Sequence, residues 1–170
     1  MKRVLVTGNA GAGKTTFSKV LANKTGLPLH CLDSIVWKSG WVKTADQERY
    51  DKIKNLVDGD GWIIDGVSRQ AFDAADTIFF IDMSLTRCLF NIVSRFLKNG
   101  IGTRNSLPEN CPEYIGVFKA IKVAFYYNKN TRPWLISSIE ANVTSGELIE
   151  STPQKKIVWI KNYQQLLDFY

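Results

Sequence analysis

Residues 8–15 read Gly-Asn-Ala-Gly-Ala-Gly-Lys-Thr. This is the G-x-x-x-x-G-K-[ST] pattern of a phosphate-binding loop. Val4, Leu5 and Val6 precede it as a β-rich apolar run, and Thr16 to Leu21 follow as a stretch able to form a helix. Strand, loop and helix thus stand in the order the motif requires. Glycines let a backbone close around a polyphosphate. Loop amides and a helix N-terminus favour an anion. Lys14 is the cation that reaches the β- and γ-phosphates, and Thr15 offers its hydroxyl to Mg²⁺. Gly8, Gly11, Ala12, Gly13, Lys14, Thr15 and Thr16 are the candidate nucleotide-binding residues, with ATP and Mg²⁺ the expected occupants.

The same alternation continues beyond the loop. Strands are expected at Lys2–Thr7, Leu29–Leu32, Trp62–Ile64, Thr77–Ile81 and Lys156–Ile160. Helices are expected at Lys14–Lys24, from Thr44 to about Val57, over Gln70–Ala74, after Ser84, over Glu113–Asn128, over Pro133–Asn142 and over Tyr163–Phe169. Thr44 with Gln47 three residues on has the form of a capping box. After Ser84 the apolar positions are Leu85, Leu89, Ile92, Val93, Phe96 and Leu97, with Arg87, Asn91 and Arg95 opposite. In the following helix they are Tyr114, Val117, Phe118, Ile121 and Phe125. Between the two, Asn99–Pro112 is rich in Gly, Asn and Pro and reads as an irregular excursion, a lid at about 98–112. Alternating strands and helices specify an α/β fold, a parallel sheet with helices on both faces. Such sheets bind ligands at the carboxyl ends of their strands. There the first strand delivers the loop, and the next three deliver Asp33, Asp65 and Asp82.

Phosphoryl transfer needs a carboxylate to organise the metal near Thr15. Two apolar runs end in one, Trp62-Ile63-Ile64-Asp65 and Ile78-Phe79-Phe80-Ile81-Asp82. Periodicity does not choose between them; Gly66 and Arg69 beside Asp65 favour it. Asp33 is the candidate contact for an acceptor hydroxyl or a metal-bound water. Arg69, Arg95, Arg104 and Arg132 are candidate phosphate clamps, since a guanidinium binds phosphate bidentately. Arg104 in the lid would close over the transferring group and exclude water. His30 is read as structural.

The chain has 170 residues, 45% of them hydrophobic, which is enough for one domain over 1–170 with its own core. Cys31, Cys88 and Cys111 lack metal spacing and are expected as free thiols in a reducing compartment. No signal peptide or membrane-spanning run is recognised, so a cytoplasmic protein is expected. Between Ser84 and Arg132 stand eight basic and two acidic residues, so this segment carries the whole net charge of +6. A basic field beside a phosphate loop suits a polyanionic substrate. Nucleic acid is the alternative partner, supported by Tyr126, Tyr127 and Trp134 among the cations.

The loop, the Asp-Gly-x-x-Arg of residues 65–69 and the helix–lid–helix after the fourth strand resemble the adenylate-kinase-like P-loop kinases. The resemblance implies a three-layer sandwich with strand order 2-3-1-4-5. It also implies that Asp65 helps organise Mg²⁺ and that Arg69 contacts the acceptor phosphate. A nearly full-length resemblance is to the bacterial DNA-topology-modulation proteins, on Gly8–Thr15, Leu32–Trp37 with Gly40-Trp41, Trp62–Gly66, Cys111-Pro112-Glu113 and Tyr127 through Thr131-Arg132-Pro133. The chain departs from both patterns at Val67 and Ser68. Asp33 at the end of the second strand also resembles shikimate and gluconate kinases, where a carboxylate there holds the acceptor's hydroxyls. The resulting expectation is a kinase with a nucleotide or small hydroxylated acceptor; a nucleotide-dependent DNA-binding regulator is the alternative.

Overall fold

The computed structural model describes residues 1–99, 107–145 and 155–169. Its centre is a parallel sheet of β1 (Arg3–Gly8), β2 (Leu29–Cys31), β5 (Trp62–Asp65), β6 (Thr77–Ile81) and β7 (Lys156–Ile160). They lie in the order β2-β5-β1-β6-β7. Counted along the chain within this sheet, that is 2-3-1-4-5, the expected order. A two-stranded antiparallel ribbon, β3 (Trp37–Lys38) with β4 (Val42–Lys43), stands apart from it.

The three inner strands are buried on both faces, which is why β1, β5 and β6 read as unbroken apolar runs rather than alternating ones. Leu5, Ile64, Ile78 and Phe80 point to one side and join Ile53 and Val57 of α3 (Asp46–Val57), Ala71 and Phe72 of α4 (Arg69–Ala74), and Leu135 and Ile139 of α7 (Arg132–Ser145). Val4, Val6, Ile63, Phe79 and Ile81 point to the other and join Phe17 of α1 (Lys14–Thr25), Cys88 of α5 (Leu85–Asn99) and Leu166 of α8 (Tyr163–Leu167). The two clusters are the seams of an α/β/α sandwich.

Local chemistry sets several boundaries. Ser68 caps α4 by accepting the Ala71 amide, and Asn162 caps α8 by accepting the Gln165 amide. The Ser84 hydroxyl accepts from the Arg87 amide at the start of α5. The Thr44 capping box does not form: α3 starts after Ala45 without a side-chain cap. Thr44 is instead buried, and its amide donates to the Val36 carbonyl, tying the ribbon to the short helix α2 (Asp33–Val36). That tertiary bond fixes Thr44 where its side chain cannot reach the helix end.

The helices that flank the lid differ from the sequence expectation in what they bury. In α5 the inward residues are Cys88 and Ile92; Val93 and Leu97, expected inside, face outward. In α6 (Glu113–Tyr126) Val117 and Ala124 are buried while Tyr114, Phe118 and Phe125 are exposed. The two helices need only a narrow inner stripe, because they share one small cluster through Ile92, Val117 and Ala124. A π-turn at Tyr127–Thr131 joins α6 to α7 and turns Tyr127 into the core. Of the lid at 98–112, Lys98 and Asn99 complete α5, and Leu107 and Cys111 pack on Trp41. Residues 100–106 of the lid, Arg104 among them, lie outside the described residues.

Candidate active site

The loop between β1 and α1 is held by its own sequence. Gly11 and Gly13 take positive φ values of 79° and 97°. A Cβ on Gly11 would sit 2.4 Å from the Cys88 carbonyl oxygen, so only glycine lets the loop close against α5. Asn91 of α5 donates to the Gly11 carbonyl at 2.8 Å, and Asn9 donates to the Ala124 carbonyl at 3.2 Å. The helices on either side of the lid thus grip the phosphate loop directly. Lys14 Nζ lies 2.8 Å from the Asn9 carbonyl, folded back over the loop. Ala12 is buried beneath it, and Thr16 is exposed at the start of α1.

Parallel pairing sets Asp65 beside Val6 and Cys31, at the carboxyl edge of β5 between β1 and β2. Thr15 Oγ1 donates to Asp65 Oδ2 at 2.6 Å. Asp65 is only 3% exposed. Burial pushes its carboxyl above the ordinary range, with the nearby Asp33 charge adding to this; Lys14 and the Thr15 hydroxyl act in the opposite sense. Such a carboxylate gains by meeting a cation. Asp33, exposed at the first turn of α2, faces the same negative field.

Asp82 is engaged elsewhere. It accepts from Arg132 Nε at 2.7 Å and Nη2 at 2.9 Å, and from Trp159 Nε1 at 3.2 Å. These three donors engage the Asp82 carboxylate, and of the two strand-end residues it is Asp65 that meets Thr15. Arg132, expected at the acceptor, is therefore tied to the end of β6 by two of its five donors. Arg69 is exposed and stacks over the Trp134 ring at 5.1 Å. Arg95 lies on the α5 face that carries Asn91, and Arg104 lies outside the described residues. Of the aromatic residues expected to interleave with cations, Tyr127 is buried and Trp134 packs on Phe72, so only Tyr126 presents an open ring. His30 is half-buried in β2, and all three cysteines are free thiols.

Sequence reasoning missed the Asp82–Arg132–Trp159 set and the Lys119 contact. Lys119 Nζ sits 4.5 Å from the Trp37 ring and 5.8 Å from Trp41, while Trp41 Nε1 donates to the Pro112 carbonyl at 3.1 Å. The ribbon that follows Asp33 is thereby docked on both the end of the lid and α6. The one signal for this was the Trp-x-x-x-Trp spacing of residues 37 and 41 beside a basic helix. Among the described residues no helix is long and apolar enough to cross a membrane.

No protein-family model matches the chain. No curated protein matches it in sequence. Solved structures do. A sugar kinase from Janibacter sp. is 14% identical over 99% of this chain and 91% of its own, with a TM-score of 0.50. A shikimate kinase from Acinetobacter baumannii, solved with shikimate, is 13% identical over 88% of this chain and 96% of its own, with a TM-score of 0.46. A gluconokinase from Sinorhizobium meliloti is 14% identical over 77% and 95%, with a TM-score of 0.42. The first of these, together with the strand order and the phosphate loop, defines the fold: it is that of a P-loop kinase.

Proposed function

We propose that this chain binds ATP with Mg²⁺ and transfers the γ-phosphate to a nucleotide or small hydroxylated acceptor. The observation that carries the reading is the 2.6 Å contact between Thr15 and the buried Asp65, at the head of a glycine-held phosphate loop. A hydroxyl and one carboxylate are the hard oxygen donors that Mg²⁺ takes from proteins when phosphates supply the rest. Thr15 and Asp65 would hold the ion, which neutralises charge on the β- and γ-phosphates when bound.

The remaining steps belong to this chain's own groups. The amides of residues 8–16 orient the polyphosphate, and Lys14 leaves the Asn9 carbonyl to meet it. Asp33 accepts a hydrogen bond from the acceptor hydroxyl and orients it for in-line attack. Arg69 and Arg95 supply cations on the acceptor side, Arg132 does so from its anchorage on Asp82, and Arg104 does so from the lid. Positioning and charge stabilisation provide most of the acceleration in such sites. The fold is shared with a sugar kinase, which supports a small polar acceptor. The motif matches outlined above support kinship with the DNA-topology-modulation proteins, a single kinase-like domain over 1–170 with its lid at about 98–112, and a cytoplasmic site of action.

The test is an acceptor screen. Nucleoside monophosphates, nucleosides and hydroxylated acids are incubated with γ-labelled ATP and Mg²⁺, with Lys14→Ala as control. At least one acceptor should yield labelled product in the unaltered protein and none above background in the variant. Mg²⁺-dependent ATP binding that is absent from both proteins would remove the reading altogether.

A further inference from the structure

A loop that binds polyphosphate presents N–H groups to it and must keep its carbonyl oxygens engaged elsewhere, because an oxygen facing the anion repels it. The loop of residues 8–15 meets this demand partly by itself. The Asn9 carbonyl accepts Lys14 Nζ at 2.8 Å and the Ala12 amide at 3.2 Å. The Gly13 carbonyl accepts the Phe17 amide at 3.1 Å, in the first turn of α1. The Gly11 carbonyl has no such donor on the loop or on α1 among the described residues. Its donor comes from α5: Asn91 Nδ2, at 2.8 Å and eighty residues further along the chain.

Gly11 is where an outside restraint matters most. Its φ is 79°, and a glycine backbone is the freest in any chain, so the peptide that follows it is held only by what it bonds to. The other fixed point of the loop is Asn9, whose Nδ2 donates to the Ala124 carbonyl of α6 at 3.2 Å. Between these points the loop lies against α5. A Cβ on Gly11 would meet the Cys88 carbonyl oxygen at 2.4 Å and Ile92 Cγ1 at 3.0 Å. Cys88 and Asn91 stand at i and i+3, on one side of the helix. The small side chain at 88 and the missing one at 11 bring the backbones together, within reach of a short amide. Asparagine is a weak helix former, yet Asn91 is the seventh residue of a fifteen-residue helix. Its tertiary bond to the loop gives it a use there that an alanine or leucine could not serve.

We propose that Asn91 is a positioning residue for the nucleotide's polyphosphate, holding the Gly11 carbonyl out of the space the anion fills. The inference rests on the reading that the loop binds ATP, and adds to that site a residue far outside the loop pattern. Without the amide donor, the Gly11 oxygen is unpaired or turns toward the phosphates, and binding weakens in either case.

The test is calorimetric titration of Mg²⁺–ATP into the parent and three variants. Asn91→Leu, similar in size but without a donor, should raise the Kd roughly 10-fold, the upper end for one hydrogen bond. Asn91→Asp, which places a carboxylate where the amide stood, should raise it further. Asn91→Gln keeps the donor on a longer stem and should recover part of the loss. The thermal midpoints of all three should stay within a few degrees of the parent's, which separates positioning from a general loss of structure. If Asn91→Leu fails to fold, Asn91→Asp against Asn91→Gln decides. A parent that binds ATP with variants that bind it equally well overturns the inference alone, and so does Asn91→Gln binding no better than the two variants without a donor. A parent that binds no ATP overturns the nucleotide reading and this inference with it.

Discussion

The Asp82 carboxylate holds the Arg132 guanidinium in a two-point grip, 2.7 Å from Nε and 2.9 Å from Nη2, across fifty residues of sequence. Asp82 follows β6 directly, where Ile81 pairs with Gly8 at the mouth of the phosphate loop. The side chain of Asp82 is 8% exposed and that of Arg132 is 40% exposed. Removing the arginine would leave a nearly buried carboxylate facing only the Trp159 indole. Arg132→Ala is expected to cost about 2 kcal/mol, less than a fully buried pair because one partner is wet. Arg132→Lys keeps the charge, loses the fork and should cost about 1 kcal/mol. Urea midpoints check both, and the double variant with Asp82→Asn should lose less than the two single variants summed.

The Thr15–Asp65 contact separates stability from activity. Burial already works against the Asp65 charge, so Asp65→Asn removes an expensive ion while keeping an acceptor for the Thr15 hydroxyl. The variant should be as stable as the parent at pH 7 or slightly more so. Its phosphoryl transfer should fall by about 100-fold or more, the usual scale for losing one charge-organising group. Calorimetric titration gives a second readout. The parent should bind ATP more tightly with Mg²⁺ than with a chelator, and in Asp65→Asn that difference should vanish. Equal magnesium dependence in both proteins would refute the role.

The parts legible in the sequence are those whose signal is local. The loop of residues 8–15 carries its glycines, lysine and threonine in one stretch, and the buried strands announce themselves as unbroken apolar runs. Strand-end carboxylates were legible as candidates, but Asp65 and Asp82 follow apolar runs of the same kind and differ only in what reaches them. Arg132 arrives at Asp82 from fifty residues away, through a π-turn that has no sequence signature. The stripes of α5 and α6 misled for a related reason. Both helices are apolar over more than half their girth, and periodicity alone does not say which side meets the sheet. Cys88 and Ala124, small residues that allow close approach, mark the inner side better than the large ones do.

Two of the three thiols should resist alkylation even though one borders the site. Burial pushes the Cys31 thiol up to about 12, helped by the charges of Asp65 and Asp33, and burial pushes Cys88 up to about 11. Only thiolate reacts. At pH 8 the ionised fraction of Cys31 is on the order of 10⁻⁴. Iodoacetamide should therefore leave both residues unmodified in the folded protein and label both in urea, as read by peptide mass. Rapid labelling of Cys31 in the folded state would show that the thiol is less buried than the geometry implies.

Acid stability should depend on Asp76, at the opposite edge of the sheet from the site. Its Oδ2 accepts the amides of Lys2 and Arg3 at 2.8 Å each, and its Oδ1 accepts the Thr77 hydroxyl at 2.7 Å. Burial works against the charge, but these donors outweigh it and hold the carboxyl below its ordinary value. A carboxyl lowered in this way binds its proton less tightly in the folded chain than in the unfolded one. Its stabilisation is complete above the unfolded value of about 3.9 and drains away as pH falls through the folded value. Asp76→Ala should therefore lower the thermal midpoint at pH 7, by a few degrees for a partly exposed group. It should also flatten the loss of stability between pH 5 and pH 2 relative to the parent. Nucleotide binding should be unchanged, because Asp76 anchors the amino end of β1 while the phosphate loop hangs from its carboxyl end.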